Sequence, residues 1–160
     1  MIDLKVEIAR KVMHVSSSAI GFLVLFFDKS FYVPVLLAIS FFAILFDILR
    51  IRYKPVKKIF NLFFSIFTRS SENSKITGSS FLFIGASIVA IFFDKDVAVA
   101  GLFILSFSDS AAAIVGILFG KTKLFNKSLE GSFAFFISSV IILNLLGFSI
   151  FQTTVVAFVA

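Results

Sequence analysis

Asp109 lies in the run Leu105-Ser106-Phe107-Ser108-Asp109-Ser110-Ala111-Ala112-Ala113, inside an apolar stretch covering about residues 97–119. As a helix that stretch is about 34 Å long, enough to cross a bilayer. Asp109 is about ten residues from the charged loop that starts near Lys121, which puts it about 15 Å deep. A carboxylate at the bilayer centre costs on the order of 2.5–3.5 kcal/mol on insertion scales. A counter-charge, a bound metal or a water-filled site has to offset that cost. Asp109 is therefore the first candidate for chemistry, as a metal ligand or a base.

Three further groups of residues have the types that handle phosphate. The segment Gly120-Lys121-Thr122-Lys123-Leu124-Phe125-Asn126-Lys127-Ser128-Leu129-Glu130-Gly131-Ser132 is cationic and hydroxyl-rich and runs into a helix start. Free backbone N–H groups and the positive end of the helix dipole attract anions there. Lys127 adds charge, Gly131 lets a phosphate approach the backbone, and Glu130 can hold a divalent cation that bridges phosphates. The plain alternative is a solvated basic loop with Ser132 as N-cap. Lys75-Ile76-Thr77-Gly78-Ser79-Ser80 repeats these ingredients at another helix start. In the first apolar run, Arg10, His14, Ser18 and Gly21 share a helical face, with Lys11 three residues before His14. Asp47 and Arg50 form an i, i+3 pair. Ala112, Gly116 and Gly120 form a ladder of small residues that suits close helix packing.

The elements that must position these residues follow from composition. Hydrophobic residues make up 59% of the 160, mean hydropathy is +1.09, and there are 25 Phe. A soluble domain of this size cannot bury so much apolar surface. The expected fold is all-α: a polytopic membrane bundle forming a single domain. Its spans are expected at about 12–27, 31–49, 79–93, 97–119 and 133–151, with an incomplete sixth at 153–160. The last is too short to cross, so the chain is expected to be truncated or its last segment to pack without crossing. A short amphipathic stretch at about 57–68 reads as an interfacial helix at the inner leaflet. No cleavable signal peptide, internal repeat or cysteine is evident.

The net charge of +6 is confined to loops between apolar runs, which points away from nucleic acid. Basic residues cluster in the N-terminal tail (Lys5, Arg10, Lys11), in the second loop (Arg50, Arg52, Lys54, Lys57, Lys58, Arg69, Lys75) and in the fourth (Lys121, Lys123, Lys127). The remaining two, Lys29 and Lys95, lie beside aspartates. Alternation of this kind places the N-terminus and the basic loops in the cytoplasm.

Read in order, Arg10-Lys11-x-x-His14, Asp47-x-x-Arg50, Lys75-x-Thr77-Gly78-Ser79, Ser106-Phe107-Ser108-Asp109-x-Ala111-Ala112-x-x-x-Gly116 and Lys127-Ser128-x-Glu130-Gly131-Ser132 resemble the family of CTP-dependent lipid-alcohol kinases. That family comprises dolichol kinase, phytol kinase and yeast-type diacylglycerol kinase, and is distantly similar to phosphatidate cytidylyltransferases. The resemblance covers roughly residues 10–132. It implies transfer of the γ-phosphoryl group of CTP to a long-chain alcohol in the membrane, with Mg²⁺ on Asp109 and Glu130. Phosphates are then expected on Lys121, Lys127, Ser128, Gly131 and Ser132, with Lys75, Gly78, Ser79, Arg10, Lys11, Arg50 and Gly116 completing the nucleotide site. The base remains open among Asp109, His14 and Asp47. The implied partners are CTP and a lipid alcohol; an oligomer is compatible with the sequence. A cytidylyltransferase acting at the α-phosphorus, or a small transporter with a midplane carboxylate, are the rival readings.

Overall fold

The structure, a computed structural model, describes residues 11–64, 74–124 and 127–159. Among these the chain is all-α apart from one two-residue antiparallel ladder. Helix α1 covers Lys11–Phe26 with a turn at Ser17. There the Ser17 hydroxyl donates to the His14 carbonyl, a back-bond that loosens a helix. Then follow α2 (Lys29–Arg52), α3 (Lys54–Phe64), α4 (Gly78–Phe92) and α5 (Lys95–Phe103). A π-helical segment, Ile104–Ser108, joins α5 to α6 (Asp109–Phe119) without breaking the rod. Strands β1 (Lys123–Leu124) and β2 (Lys127–Ser128) pair Lys123 with Ser128 and Leu124 with Lys127. Helices α7 (Leu129–Leu145) and α8 (Ile150–Val159) close the chain.

Two of these rods, Lys29–Arg52 and Lys95–Phe119, are long and apolar enough to cross a membrane; α1, α4, α7 and α8 are shorter. The amphipathic helix expected at 57–68 is seen as α3, which starts earlier because Pro55 fits the first turn of a helix. The part of that range beyond Phe64 is outside the described residues. The stretch expected as one span at 133–151 is divided. Gly147 takes φ +84°. Its N–H donates to the Asn144 carbonyl and that of Phe148 to the Leu143 carbonyl, closing a Schellman motif. Phe148 packs on the cluster containing Leu143, as that motif favours. Helix α8 then opens with a reciprocal cap between Ser149 and Gln152.

The side chains are arranged inside out. The main core joins Ile20 and Val24 of α1, Tyr32 and Leu36 of α2, Ala86 and Ala90 of α4, and Ala98, Val99, Leu102 and Phe103 of α5. Large apolar side chains such as Phe26, Phe41, Leu118 and Phe158 face outward. Small residues and hydroxyls do much of the joining instead. Ser40 and Ser87 share a hydrogen bond of 2.8 Å between α2 and α4. That pattern suits packing in hydrocarbon, where burying apolar surface gains little and close backbone approach gains more. Both tight hairpins, α1–α2 and α4–α5, turn on the same residues, Phe-Phe-Asp-Lys. The Lys29 ammonium ties them together through the Ile91 carbonyl.

The α6–α7 contact shows how little space remains. A Cβ added at Gly131 would stand 2.7 Å from the Ala112 carbonyl oxygen and 2.9 Å from the Ser128 hydroxyl. One at Gly116 would stand 2.9 Å from the same hydroxyl. Gly131→Ala should therefore lower stability by about 1–3 kcal/mol, the usual cost of overpacking. Gly85→Ala, on α4 with nothing within 4 Å, should be neutral or gain up to about 1 kcal/mol. Thermal melting of the detergent-solubilised protein reads both, and equal melting of the two variants would refute the packing argument.

Candidate functional site

Two charges 98 positions apart meet where α1 crosses the start of α6. Lys11 Nζ donates to Asp109 Oδ2 at 3.1 Å. The Lys11 side chain is 13% exposed and that of Asp109 43%, so the carboxylate opens to its surroundings. Helices α1 and α5–α6 run antiparallel along this seam. Ser17 Oγ and Ser106 Oγ are 2.9 Å apart, and Gly21 packs on the Phe103 ring. His14 is half-buried one turn beyond Lys11 on the same helix. The π-helical segment delivers Asp109 to this seam. Its wider turn adds a residue relative to α-helical spacing, and such bulges recur at functional sites. Ser106, Ser108 and Ser110 are all buried here. The Ser110 hydroxyl donates to the Ser106 carbonyl, whereas no described residue bonds the Ser108 hydroxyl. Arg10 is outside the described residues.

Asp47, Arg50, Lys75, Gly78 and Ser79 form a second group, at the end of α2 and the start of α4. Asp47 and Arg50 are almost wholly buried. Asp47 Oδ2 accepts from the Thr77 amide (2.8 Å), the Thr77 hydroxyl (2.9 Å) and the Ser80 hydroxyl (2.7 Å). Its Oδ1 accepts from Arg50 Nε at 3.1 Å and pairs with Nη2 at 2.9 Å. Arg50 Nη2 also donates to the Lys75 carbonyl, and the guanidinium lies over the Phe60 ring of α3, 4.4 Å from its centroid. Expected as a candidate base, Asp47 has both oxygens saturated. It caps the α4 helix start as an anion would, and it joins α2, α3 and α4. Gly78, Ser79 and the Lys75 side chain remain exposed at the rim.

The third group is the β1–β2 hairpin and the start of α7. Ser128, not Ser132, is the N-cap: its hydroxyl accepts from the Gly131 amide at 3.1 Å. Ser132 donates back to the Ser128 carbonyl. Gly131 faces Ala112 and Gly116, so its missing side chain admits the close α6–α7 contact. Glu130 accepts from the Lys121 and Thr122 amides, each at 3.1 Å. Its own amide, and then those of Thr122 and Lys121, hold its carboxyl below the ordinary glutamate value, partly opposed by burial. Lys121, Lys123 and Lys127 are exposed. A groove of about 500 Å³ runs between α6 and α7, lined by Val115, Phe133, Ile137 and Ile141 among others. It is almost entirely apolar, with Glu130 at its rim.

These groups resolve which expected residues share a site. Lys11 and Asp109 come together, with His14 one turn along α1 from Lys11. Asp109 and Glu130 do not: Glu130 holds amides beyond the end of α6, and Asp109 starts that helix, about 15 Å away along its axis. One Mg²⁺, with ligands at about 2.1 Å, cannot bridge them. No three His, Cys, Asp or Glu side chains cluster among the described residues. Asp109 Oδ1 is left without a donor among them, so this carboxylate still suits a metal whose other ligands are water and phosphate oxygens.

Among known proteins, an uncharacterised protein of Rickettsia prowazekii is 32% identical over 88% of this chain and 70% of its own length. CTP-dependent diacylglycerol kinase 1 of Schizosaccharomyces pombe is 34% identical over 85% of the chain and 65% of its own length. Its namesake in Saccharomyces cerevisiae is 34% identical over 86% of the chain and 49% of its length. The chain belongs to the family of CTP-dependent lipid kinases. It spans about half to two thirds of the length of these two kinases. No family model matches it, and no solved structure gives a significant match. The residues whose contacts sequence reasoning passed over are Ser17, Ser80, Phe60 and Thr122. Ser17, Ser80 and Phe60 act through partners on other helices, and Thr122 through its amide, which donates to Glu130 of α7.

Two outcomes test this geometry. Asp47→Ala leaves Arg50 buried without its counter-charge and should cost about 3–5 kcal/mol. The Asp47→Leu/Arg50→Met pair should cost less than the single change, as read by melting in detergent. Glu130 supports the hairpin through its ionised form. Its folded pKa is lowered, so this support is complete above the unfolded glutamate value of 4.5 and is lost as pH falls through the lower folded value. Amide exchange at Lys121 and Thr122 should quicken only below that value, and Glu130→Gln should remove the pH step.

Proposed function

We propose that this chain is part of an integral membrane kinase that moves the γ-phosphoryl group of CTP to a lipid alcohol at the cytoplasmic face. The observation that carries the reading is the Lys11–Asp109 pair, an exposed carboxylate with a cation on a seam of hydroxyls, within a family whose relatives are named CTP-dependent diacylglycerol kinases. The apolar outer surface and the two long rods support membrane embedding. Five spans, with α1, α4 and α7 as short members beside α2 and α5–α6, agree with the alternation of basic loops. In this orientation α3 lies along the inner leaflet.

Phosphoryl transfer demands positioning and charge neutralisation more than covalent chemistry. The alcohol oxygen attacks the γ-phosphorus, the bond from that phosphorus to the β-phosphate oxygen breaks, and CDP leaves. The hydroxyl proton passes to a base on the seam. Of the three candidates, Asp109 opens on it and His14 lies one turn from Lys11 on α1, whereas Asp47 is held by five contacts. Asp109 would hold Mg²⁺, which when bound neutralises charge on the β- and γ-oxygens. Lys11 stands 3.1 Å from that carboxylate and is placed to take a phosphate oxygen in exchange. Lys121, Lys123 and Lys127 supply a cationic rim for the nucleotide, joined by Lys75 at the start of α4. The acceptor is a diacylglycerol, a polyprenol such as dolichol, or phytol. The exposed Phe side chains accommodate each of them alike.

Reconstituted protein given Mg²⁺, a panel of lipid alcohols and CTP labelled at either phosphorus should carry γ label into lipid. Label from the α-phosphorus would mean a cytidylyltransferase, and no lipid label from a folded, full-length protein would remove both enzymes. Asp109→Asn should abolish transfer, and Lys11→Met should lower it about a hundredfold, the usual scale for removing one transition-state charge partner.

A further inference from the structure

Helix α3 presents two faces whose chemistry the reaction does not use. At 3.6 residues per turn, Leu62, Pro55, Ile59 and Phe63 share one arc of about 100°, and Lys57, Asn61, Lys54 and Lys58 share another. Val56 and Phe60 lie between the first arc and the bundle, and Phe60 is buried. The apolar arc is bare: Leu62 is 78% exposed and Phe63 65%. The cationic arc is unbalanced. From Asp47 to Glu72 the chain has Arg50, Arg52, Lys54, Lys57, Lys58 and Arg69 and no acidic residue. Lys54, Lys57 and Lys58 form no ion pair among the described residues.

The level of α3 is also fixed. It follows the end of α2 after one residue, Tyr53, and Phe60 is held against Arg50 and Phe46 of α2. A helix pinned at the end of a membrane-length rod, apolar on one exposed arc and cationic on the other, matches the interface plane of an anionic leaflet. We infer that α3 is a docking surface for anionic lipid headgroups, with Lys54, Lys57 and Lys58 as their counter-charges and Ile59, Leu62 and Phe63 seated among the acyl chains. This rests on the membrane embedding proposed above but not on the phosphoryl transfer. Because Phe60 underlies Arg50, and Arg50 holds the Lys75 carbonyl, the docked helix is wired to the start of α4.

The chain has no cysteine, so a single Leu62→Cys accepts one environment-sensitive fluorophore. The full chain is reconstituted into phosphatidylcholine vesicles with or without phosphatidylglycerol, and depth is read by brominated acyl chains. Phosphatidylglycerol should blue-shift the label and deepen its quenching, and added salt should reverse this. Lys54→Gln, Lys57→Gln and Lys58→Gln should each lower the docked-to-undocked ratio about fivefold, and together should erase the response. Identical signals in the two lipids, or a full response in the triple variant, would overturn the proposal. So would a response to CTP in pure phosphatidylcholine that equals the lipid response, which would make the lysines a nucleotide surface. A chain extracted by alkaline carbonate would instead refute the membrane reading itself, so the two failures are distinguishable.

Discussion

An ionised carboxylate in apolar surroundings has to find a partner, and the helix order of this molecule follows from how it does so. Asp109 finds Lys11 at the start of α1. Ser17 on Ser106 and Gly21 on Phe103 continue the same seam, so that α1 runs antiparallel to α5–α6. The contact is also incomplete in a useful way. Lys11 is mostly covered, Asp109 is nearly half exposed, and one carboxylate oxygen has no donor among the described residues. A fully closed pair would be structural only; this one keeps capacity for another cation or a phosphate.

The same requirement explains the remaining charges. The starts of α4 and α7 look like phosphate sites because they combine cations, hydroxyls and glycine. In the folded chain the anionic partner at α4 is Asp47, which takes the Thr77 amide, and the partner at α7 is the Ser128 hydroxyl. Glu130 does likewise for the amides of Lys121 and Thr122. Buried amides demand an acceptor wherever they lie. A local motif does not say whether that acceptor arrives with a ligand or from the chain itself, so the signature of an anion site and that of a well-capped helix coincide.

Much of the fold was legible because hydropathy marks long apolar rods directly, and the ends of α1, α2, α4 and α6 fall close to where composition changes. The division between α7 and α8 was not, although Gly147 was in plain view. Its flanks are apolar on both sides, so no change in hydropathy marks the turn; only the left-handed backbone and the Phe148–Leu143 hydrogen bond do. The π-helical turn at Ile104–Ser108 has no propensity signature at all. For the site, Asp109 announced itself by its cost. Its partner did not, because nothing local distinguishes Lys11 from the other basic residues of the tail, and 98 residues of chain separate them.

Depth is where these points converge. A continuous rod from Lys95 to Phe119 places Asp109 fifteenth of 25 residues, so about 15 Å of α6 extends past it toward the hairpin. Helix α6, with α7 packed on it, therefore continues past the Lys11–Asp109 pair toward the hairpin. In the proposed reaction, that offset lets the cations of the hairpin hold the nucleotide end while the terminal phosphate reaches Lys11 and Asp109. It also shortens the path for the acceptor. A lipid alcohol carries its hydroxyl at the interface and its chains in the hydrocarbon, so a carboxylate recessed to an intermediate level meets the hydroxyl without drawing the whole lipid out of the bilayer. The insertion cost of Asp109, offset by Lys11, is then the cost of bringing a phosphate and a lipid hydroxyl to the same depth.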